Sequence, residues 1–334
     1  MSVATPQKLL ERAEGDLESA EILYCREKTR YNSLYHLEQA LEKTLKAIII
    51  GVLLKPLEST IDAAKKLGIA DRHKEIHEFL GRGVMNYVQP ARLRHDFKKF
   101  TDLVLPKLYE KFCTSDNLLA YFKDVYGGFA PSIEQNKGKF VTYLKRQGFS
   151  EQQAEKVYEL LSTLPAEVVS FLENNVKKPL CNPLSMDFKS IREQIMKTPA
   201  PCLKDVNNLV KDLEKQIRQK FEEEFEKAWK EHYGALGARV EELAKVLKEA
   251  GITTAAEDIE GALRNLKDSL LGVIILFLAL PLHWCLYRYY GARYGEIEVP
   301  AEDIEEIPSL IETIRHLHAV AKKLVSALAS QLSA

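Results

Sequence analysis

Apolar residues recur every three or four positions along most of the chain, which places them on one face of an α-helix. The pattern predicts a first helix that begins after Thr5 and Pro6, which suit a helix cap and a first helical position. It predicts a second helix from about Ser33 to Leu54, ended by Pro56. Because the alternation typical of strands is almost absent, the sequence predicts an all-α protein.

The middle of the chain has a more broken pattern. Between Pro106 and about Pro201, glycines and prolines separate several short apolar stripes. Apolar residues then recur at helical spacing from Val206 to Trp229, and the pattern resumes after Gly237. We interpret this region as an insertion or a second helical subdomain that contains a long helix or a helical hairpin.

One apolar run raises the alternative of a membrane segment. "LLGVIILFLALPLHWCLY", residues 270–287, is 18 residues long, which is near the lower limit for crossing a bilayer. Pro281 and His283 interrupt the run, and a shorter apolar stretch is typical of a protein core. We therefore predict a buried core helix and no membrane partner.

Composition and charge narrow the function classes. The chain has 334 residues, with 47 basic and 48 acidic side chains and a formal net charge of -1, so nucleic-acid binding would need a local basic patch. The five cysteines are scattered, and the first residues are charged, without the apolar stretch of a secretory leader. This pattern predicts a cytoplasmic protein with reduced thiols. The abundance of Lys and Glu is typical of thermophilic proteins.

The predicted second helix places polar groups beside its own apolar stripe. Gln39, Lys43 and Lys46 lie within one arc of the helix, and Glu42 precedes Lys46 by four residues. The plainest interpretation is a surface ion pair worth about 0.3–0.5 kcal/mol, with lysine stems lying along the apolar face.

The order of these residues suggests more. "YHLEQALEKTLKAIIIGV" resembles the second helix of HEPN domains (higher eukaryotes and prokaryotes nucleotide-binding domains). The matching residues are Gln39, Ala40, Glu42, Lys43, Leu45, Lys46 and Ala47. "RHDFKKFTDLVL" from Arg94 and "YRYYGARYGE" from Tyr287 are similar to two later segments of the family, although Gly295 stands where the family often has Pro.

The three segments follow the order of the family, but Arg94 and Tyr294 lie 200 positions apart. The resemblance therefore implies an up-down helical bundle formed by both chain ends, residues 1–105 and 266–334. A helical insertion, residues 106–265, would interrupt this bundle.

The resemblance also implies binding of a nucleotide or RNA in the bundle cleft, with any catalysis unproven. The candidate ligand-binding residues are Lys43, Lys46, His95, Tyr290 and Arg293. Tyrosine faces can stack on a base, and arginine can pair with phosphate. The alternatives are that the tyrosines pack the bundle, that Arg293 pairs with Glu42, and that His95 caps a helix or lies satisfied in the core.

A second function implied by the resemblance is metal-independent RNA cleavage, for which many HEPN proteins use an Arg followed by four to six residues and His. Arg72 and His77 fit this spacing, with His as the proton-transfer group and Arg stabilising charge on the phosphate. Arg30 and His36 also fit. Arg72 comes earlier in the bundle than the family's motif does, so ordinary helix polarity is the alternative.

Other chemistry has less support in the sequence. His73 and His77 are four residues apart and could face one metal ion, but a third ligand is not evident, so no metal site is predicted. The chain lacks a glycine-rich phosphate loop, and no cofactor is predicted. A third possible function is a protein-interaction module that docks a partner through the insertion. The resemblance further implies a homodimer.

Overall fold

The computed structural model describes residues 5–66, 68–88, 93, 97–114, 117–127, 137–171, 192–193, 195, 197, 203–215, 241–249, 275–289 and 298–332. All regular secondary structure in these residues is helical, so the predicted all-α fold is confirmed. The α-helices are α1 (Pro6–Tyr24), α2 (Asn32–Ile48), α3 (Lys55–Lys66), α4 (Ile69–Arg72), α5 (Lys74–Glu78), α6 (Met85–Val88), α7 (Leu105–Thr114), α8 (Asn117–Gly127), α9 (Lys137–Arg146), α10 (Glu151–Phe171), α11 (203–215), α12 (241–249), α13 (275–287), α14 (Ala301–Glu305) and α15 (Ile307–Leu332).

Three π-helical segments connect some of these helices into longer rods. They are Ile49–Leu54, Phe79–Val84 and Phe100–Val104. The first joins α2 directly to α3, so the prediction that the second helix ends at Pro56 is wrong. A proline has no N–H to donate, and the π-helical geometry just before it already interrupts the regular hydrogen-bond ladder.

The start of α1 agrees with the sequence prediction. The Thr5 hydroxyl accepts a hydrogen bond from the Lys8 backbone N–H at 3.3 Å, and Pro6 occupies the first helical position. This cap satisfies one of the unpaired donors at a helix start, where proline costs no hydrogen bond.

The main core joins the two ends of the described chain. Helix α15 packs against α1 and α2, and both Ala47 and Ala321 are fully buried in this core. Tyr121 of α8 and Val210 of α11 belong to the same core. The division into a bundle from both chain ends and an insertion at 106–265 stays a prediction, since residues on both sides of these boundaries share one interior.

Helix α13 lies within the main core, and its side chains from Ile275 to Leu286 are buried. Within the described residues, no helix is both long and apolar enough to span a bilayer. Residues 270–274 of the apolar run lie outside the described residues, as do residues 216–240 of the predicted long helix or hairpin.

A second, smaller core forms where α9, α10 and α12 meet. Its buried members include Leu144, Phe149, Val157, Leu243 and Leu247. The amphipathic spacing of these short helices buries one face of each, as expected for elements that cannot be stable alone.

Candidate functional site

A cavity of about 490 Å³ lies between α3 and the rod formed by α5, the π-helical segment Phe79–Val84 and α6. The residues that line it are Glu58, Ile61, Asp62, Lys65, His77, Glu78, Gly81, Arg82 and Met85. On each rod these residues are one, three or four positions apart, so each rod presents one face to the cavity. The size is in the range of small-molecule sites.

The π-helical segment shapes one wall of this cavity. Gly81 and Arg82 lie on it, and a side-chain carbon added at Gly81 would meet no atom within 4 Å. Single π-helical turns inside α-helices are frequent at functional sites. Because Gly81 has no side chain, it leaves open space in the cavity that a larger residue would fill.

His77 is the titratable ring in the cavity, and a buried tyrosine holds it in place. Its Nδ1 lies 3.0 Å from the hydroxyl of Tyr121, which is a fully buried residue. Burial raises the pKa of Tyr121 to about 12, so its hydroxyl stays protonated. Burial and then the charge of Lys65 lower the pKa of His77, and Asp71 and Glu78 act in the opposite direction. The neutral imidazole is thus favoured, and Nε2 has no hydrogen-bond partner among the described residues.

The cavity contains two cations and three carboxylates. Lys65 and Arg82 are exposed and form no ion pair within the described part of the chain. Glu58, Asp62 and Glu78 are the acidic members. Neither cation could be identified from the sequence, because nothing in the local spacing indicates that α3 and residues 77–85 face each other.

Arg72 does not share the surroundings of His77. Its side chain is 65% exposed, and its guanidinium lies 3.9 Å from Asp124, which also contacts His73 Nε2 at 2.8 Å. The structure thus places Arg72 and His77 on neighbouring short helices with different partners, and their joint catalytic use stays a prediction. In the described residues, no group of three potential ligands could hold a metal ion.

Lys43 connects α2 to α1. Its Nζ donates to Asp16 at 2.6 Å and to the Gln39 side chain at 3.1 Å, and His36 Nδ1 lies 3.2 Å from the same aspartate. Burial raises the pKa of Asp16, but the hydrogen bonds and charges of His36 and Lys43 outweigh it and hold this pKa below its usual range. Arg30 lies over the Tyr24 ring, so it and His36 have separate partners.

Lys46 forms the ion pair with Glu42 that the spacing predicted, but this pair is not on the surface. Lys46 is only 7% exposed, and its ammonium group lies 5.0 Å from the centre of the Phe97 ring. Glu42 is half-buried, so the pair lies at the edge of the helical bundle's interior, where the surroundings screen it less than water would.

The remaining predicted ligand-binding residues, His95, Tyr290 and Arg293, lie outside the described residues. Their neighbour Tyr289 is buried, and its hydroxyl donates a hydrogen bond to Asp303. The candidate site that the structure describes is therefore the cavity beside His77.

Comparison with known proteins bears on the same segment. The family model of the HEPN domain matches residues 6–112, which include every residue that lines the cavity. A comparison with curated proteins gave no match, and neither did a comparison with solved structures.

Proposed function

Because residues 6–112 match the family model of the HEPN domain, we propose that the protein binds RNA or a nucleotide in the cavity between α3 and residues 77–85. The observation that carries the proposal is the convergence of Lys65, His77 and Arg82 on one open cavity inside this segment. Two cations without an ion-pair partner in the described chain are suited to phosphate oxygens, which form strong charge-assisted hydrogen bonds.

The carboxylates of the cavity restrict the ligand. Glu58, Asp62 and Glu78 would repel a second phosphate, but ionised carboxylates accept hydrogen bonds from ribose hydroxyls and base amino groups. A ligand with an anionic end toward Lys65 and Arg82, and hydroxyl or amino donors toward the acidic residues, satisfies both requirements. A ribonucleotide unit has this distribution of groups.

The test compares two neighbouring lysines. Lys65 lines the cavity, whereas Lys66 is also exposed on the same helix and does not line it. We expect Lys65→Glu to weaken binding of a fluorescent single-stranded RNA at least about tenfold and to lower the salt slope by about 1. Lys66→Glu should bind like the wild type, and equal effects of the two changes would rule the cavity out.

The cleft predicted from Lys43, Lys46, His95, Tyr290 and Arg293 is a second location for the same function. Arg293→Glu tests it in the same assay, since loss of a phosphate contact should weaken binding in a salt-dependent way. Weak binding by Arg293→Glu together with normal binding by Lys65→Glu would move the proposed site to that cleft.

A second candidate function is metal-independent RNA cleavage at the same cavity. It is favoured by the neutral imidazole of His77 and by the hydrogen bond that fixes its ring to Tyr121. In this proposal His77 accepts the 2′-hydroxyl proton, and the 2′-oxygen attacks the adjacent phosphorus to form a 2′,3′-cyclic phosphate. The bond from phosphorus to the 5′-oxygen breaks, and this oxygen takes a proton from water. Lys65 and Arg82 would stabilise the charge on the phosphate.

Cleavage is measured on labelled single-stranded RNA with a chelator present. We expect His77→Ala to lower the rate by about 10²–10⁴-fold, the usual contribution of a positioned acid–base group. His316→Ala is the control, because His316 pairs with Glu214 outside the cavity. An unchanged rate in His77→Ala would leave binding as the proposed function.

The homodimer and the protein partner bound through residues 106–265 also stay proposals. Sedimentation of the purified chain tests the dimer. Capture from a nuclease-treated lysate, followed by mass spectrometry of the bound proteins, tests the partner.

A further inference from the structure

Helix α9 and the turn after it form a basic segment in a chain of nearly balanced charge. Residues 137–150 contain four cations, Lys137, Lys139, Lys145 and Arg146, and no acidic residue. All four are exposed. This segment lies outside residues 6–112 and belongs to the second, smaller core, so it is independent of the cavity.

Two of these cations already have partners within the structure. Lys145 pairs with Glu151 at 3.1 Å, and Lys137 lies 4.9 Å from the centre of the Tyr158 ring. Lys139 and Arg146 form no ion pair or side-chain hydrogen bond with the described residues. With respect to the described part of the chain, these two cations of α9 can take an anionic ligand.

An exposed aromatic ring lies between these two cations. Tyr143 is 57% exposed, whereas Phe140 and Leu144 pack into the small core. Lys139 precedes Tyr143 by four residues and Arg146 follows it by three, so all three share one face, with neighbouring Cβ atoms about 5–6 Å apart. The arrangement is an aromatic ring flanked by a cation on each side.

The backbone after α9 holds this face in a fixed position. Gly148 has a φ of 101°, a left-handed conformation that favours glycine and ends the helix. Phe149 then inserts into the small core, and Ser150 and Gln153 exchange backbone–side-chain hydrogen bonds at the start of α10. A face held in this way loses little entropy when a ligand binds.

We propose that Lys139, Tyr143 and Arg146 form a second binding site, which takes single-stranded RNA. One unpaired base stacks on the Tyr143 ring, and the phosphates on either side of it contact Lys139 and Arg146. Aromatic side chains combined with cations along the backbone are the usual means of binding single strands without sequence preference.

A protein partner fits this face less well. Among the residues that the structure describes, Tyr143 is the only exposed large apolar residue of this face, because Phe140 and Val141 are partly buried against the small core. Protein interfaces need a contiguous apolar centre, whereas one stacked base and two phosphates need one ring and two cations. The composition of the face therefore favours nucleic acid.

The test uses full-length protein and labelled oligouridine, with an RNA duplex of the same length as a second probe. Tyr143→Ala should weaken binding of the single strand about five- to a hundredfold, which is the usual effect of losing one stacked base. Tyr143→Phe should restore it, since the ring and not the hydroxyl makes the stack. Duplex binding should not change, because its bases are already paired.

Tyr31→Ala is the control, as Tyr31 is an exposed tyrosine on another part of the molecule. Lys139→Glu together with Arg146→Glu should weaken binding and lower the salt slope by about 2. Equal binding by Tyr143→Ala and Tyr143→Phe would overturn the proposal, as would equal losses for single strand and duplex. Repeating the series in the Lys65→Glu protein separates this site from the cavity, because each site should contribute without the other.

Discussion

At the scale of single residues, two buried polar groups face each other without a hydrogen bond. Glu38 of α2 and His283 of α13 are both almost fully buried, and Glu38 Oε1 lies 3.9 Å from His283 Nδ1. Within the described ranges, neither of these two atoms has a hydrogen-bond partner. The sequence could not reveal this pair, because 245 positions separate the two residues and each fits an ordinary helix.

Burial shifts the pKa values of Glu38 and His283 in opposite directions. Burial and then the charge of Glu42 raise the pKa of Glu38 to about 8, whereas Lys43 and the Gln39 amide oppose the rise. Burial lowers the pKa of His283 to about 4. The charges of Lys46 and Lys98 lower this pKa further, whereas those of Glu42 and Asp102 oppose the shift. Near neutral pH the folded pair therefore holds one proton, on the glutamate.

This pair predicts how stability depends on pH. The contribution of Glu38 to the free energy of unfolding is complete below its unfolded pKa of about 4.3 and is lost as the pH rises through about 8. The contribution of His283 is complete above its unfolded pKa of about 6.5 and is lost as the pH falls through about 4. The two effects cancel between about pH 4.5 and 6.5. Between about pH 6.5 and 8, the free energy of unfolding should fall by on the order of 1–2 kcal/mol.

Urea unfolding at several pH values checks this prediction. Glu38→Gln cannot ionise, so its stability should lose this dependence between about pH 6.5 and 8. Glu18→Gln is the control, because Glu18 is an exposed glutamate of α1. Parallel pH profiles for Glu38→Gln and the wild type would show that Glu38 is ionised in the folded protein.

At the scale of helices, residue spacing predicted side-chain contacts within one helix but not contacts between two helices. The cap at Thr5 and the Glu42–Lys46 pair were predictable, because both depend on residues three or four positions apart. The contact of Lys43 with Asp16 spans 27 positions and was not. The sequence indicated His77 because of its spacing from Arg72 along the chain. In the structure His77 contacts Tyr121 and lines the cavity.

The π-helical wall of the cavity gives a prediction at this scale. A leucine at Gly81 would project into the open space of the cavity and should weaken nucleotide or RNA binding about tenfold or more. The protein should not be destabilised, because a glycine in a helix costs about 1 kcal/mol relative to alanine and no atom crowds this position.

Gly15→Leu is the matched control for Gly81→Leu. Gly15 lies inside α1 with equally open surroundings and away from the cavity. Binding measured by fluorescence anisotropy and stability measured by thermal unfolding separate the two effects. Normal ligand affinity in a folded Gly81→Leu protein would argue against the cavity as the site.

At the scale of the whole molecule, the segment that matches the HEPN family does not contain all of its own core. Helices α13 and α15 lie after residue 112, yet Leu280 and Leu317 are buried in the same interior as Leu41. Arg315 of α15 also pairs with Glu21 of α1. The apolar run at α13 predicted a buried helix, but local patterns did not predict the depth to which residues from the middle of the chain enter the core.

We therefore expect a fragment of residues 1–112 to lack a cooperative thermal transition. Without α13 and α15, the apolar faces of α1 and α2 would lie open to water, and each fully buried leucine contributes roughly 1.5–3 kcal/mol. Removal of residues 331–334 alone should leave the transition intact. A cooperative transition in the fragment would show that the family segment is an independent domain.

The arrangement also has a consequence for synthesis on the ribosome. The α1–α2 pair emerges early, but α15 begins 195 positions after residue 112. At about 5–20 residues per second, this interval lasts roughly 10–40 s. During that time the apolar face of the nascent hairpin lacks its contacts with α15, so the unfinished chain is a suitable substrate for a ribosome-associated chaperone. Slower translation would lengthen the interval in which aggregation competes with folding.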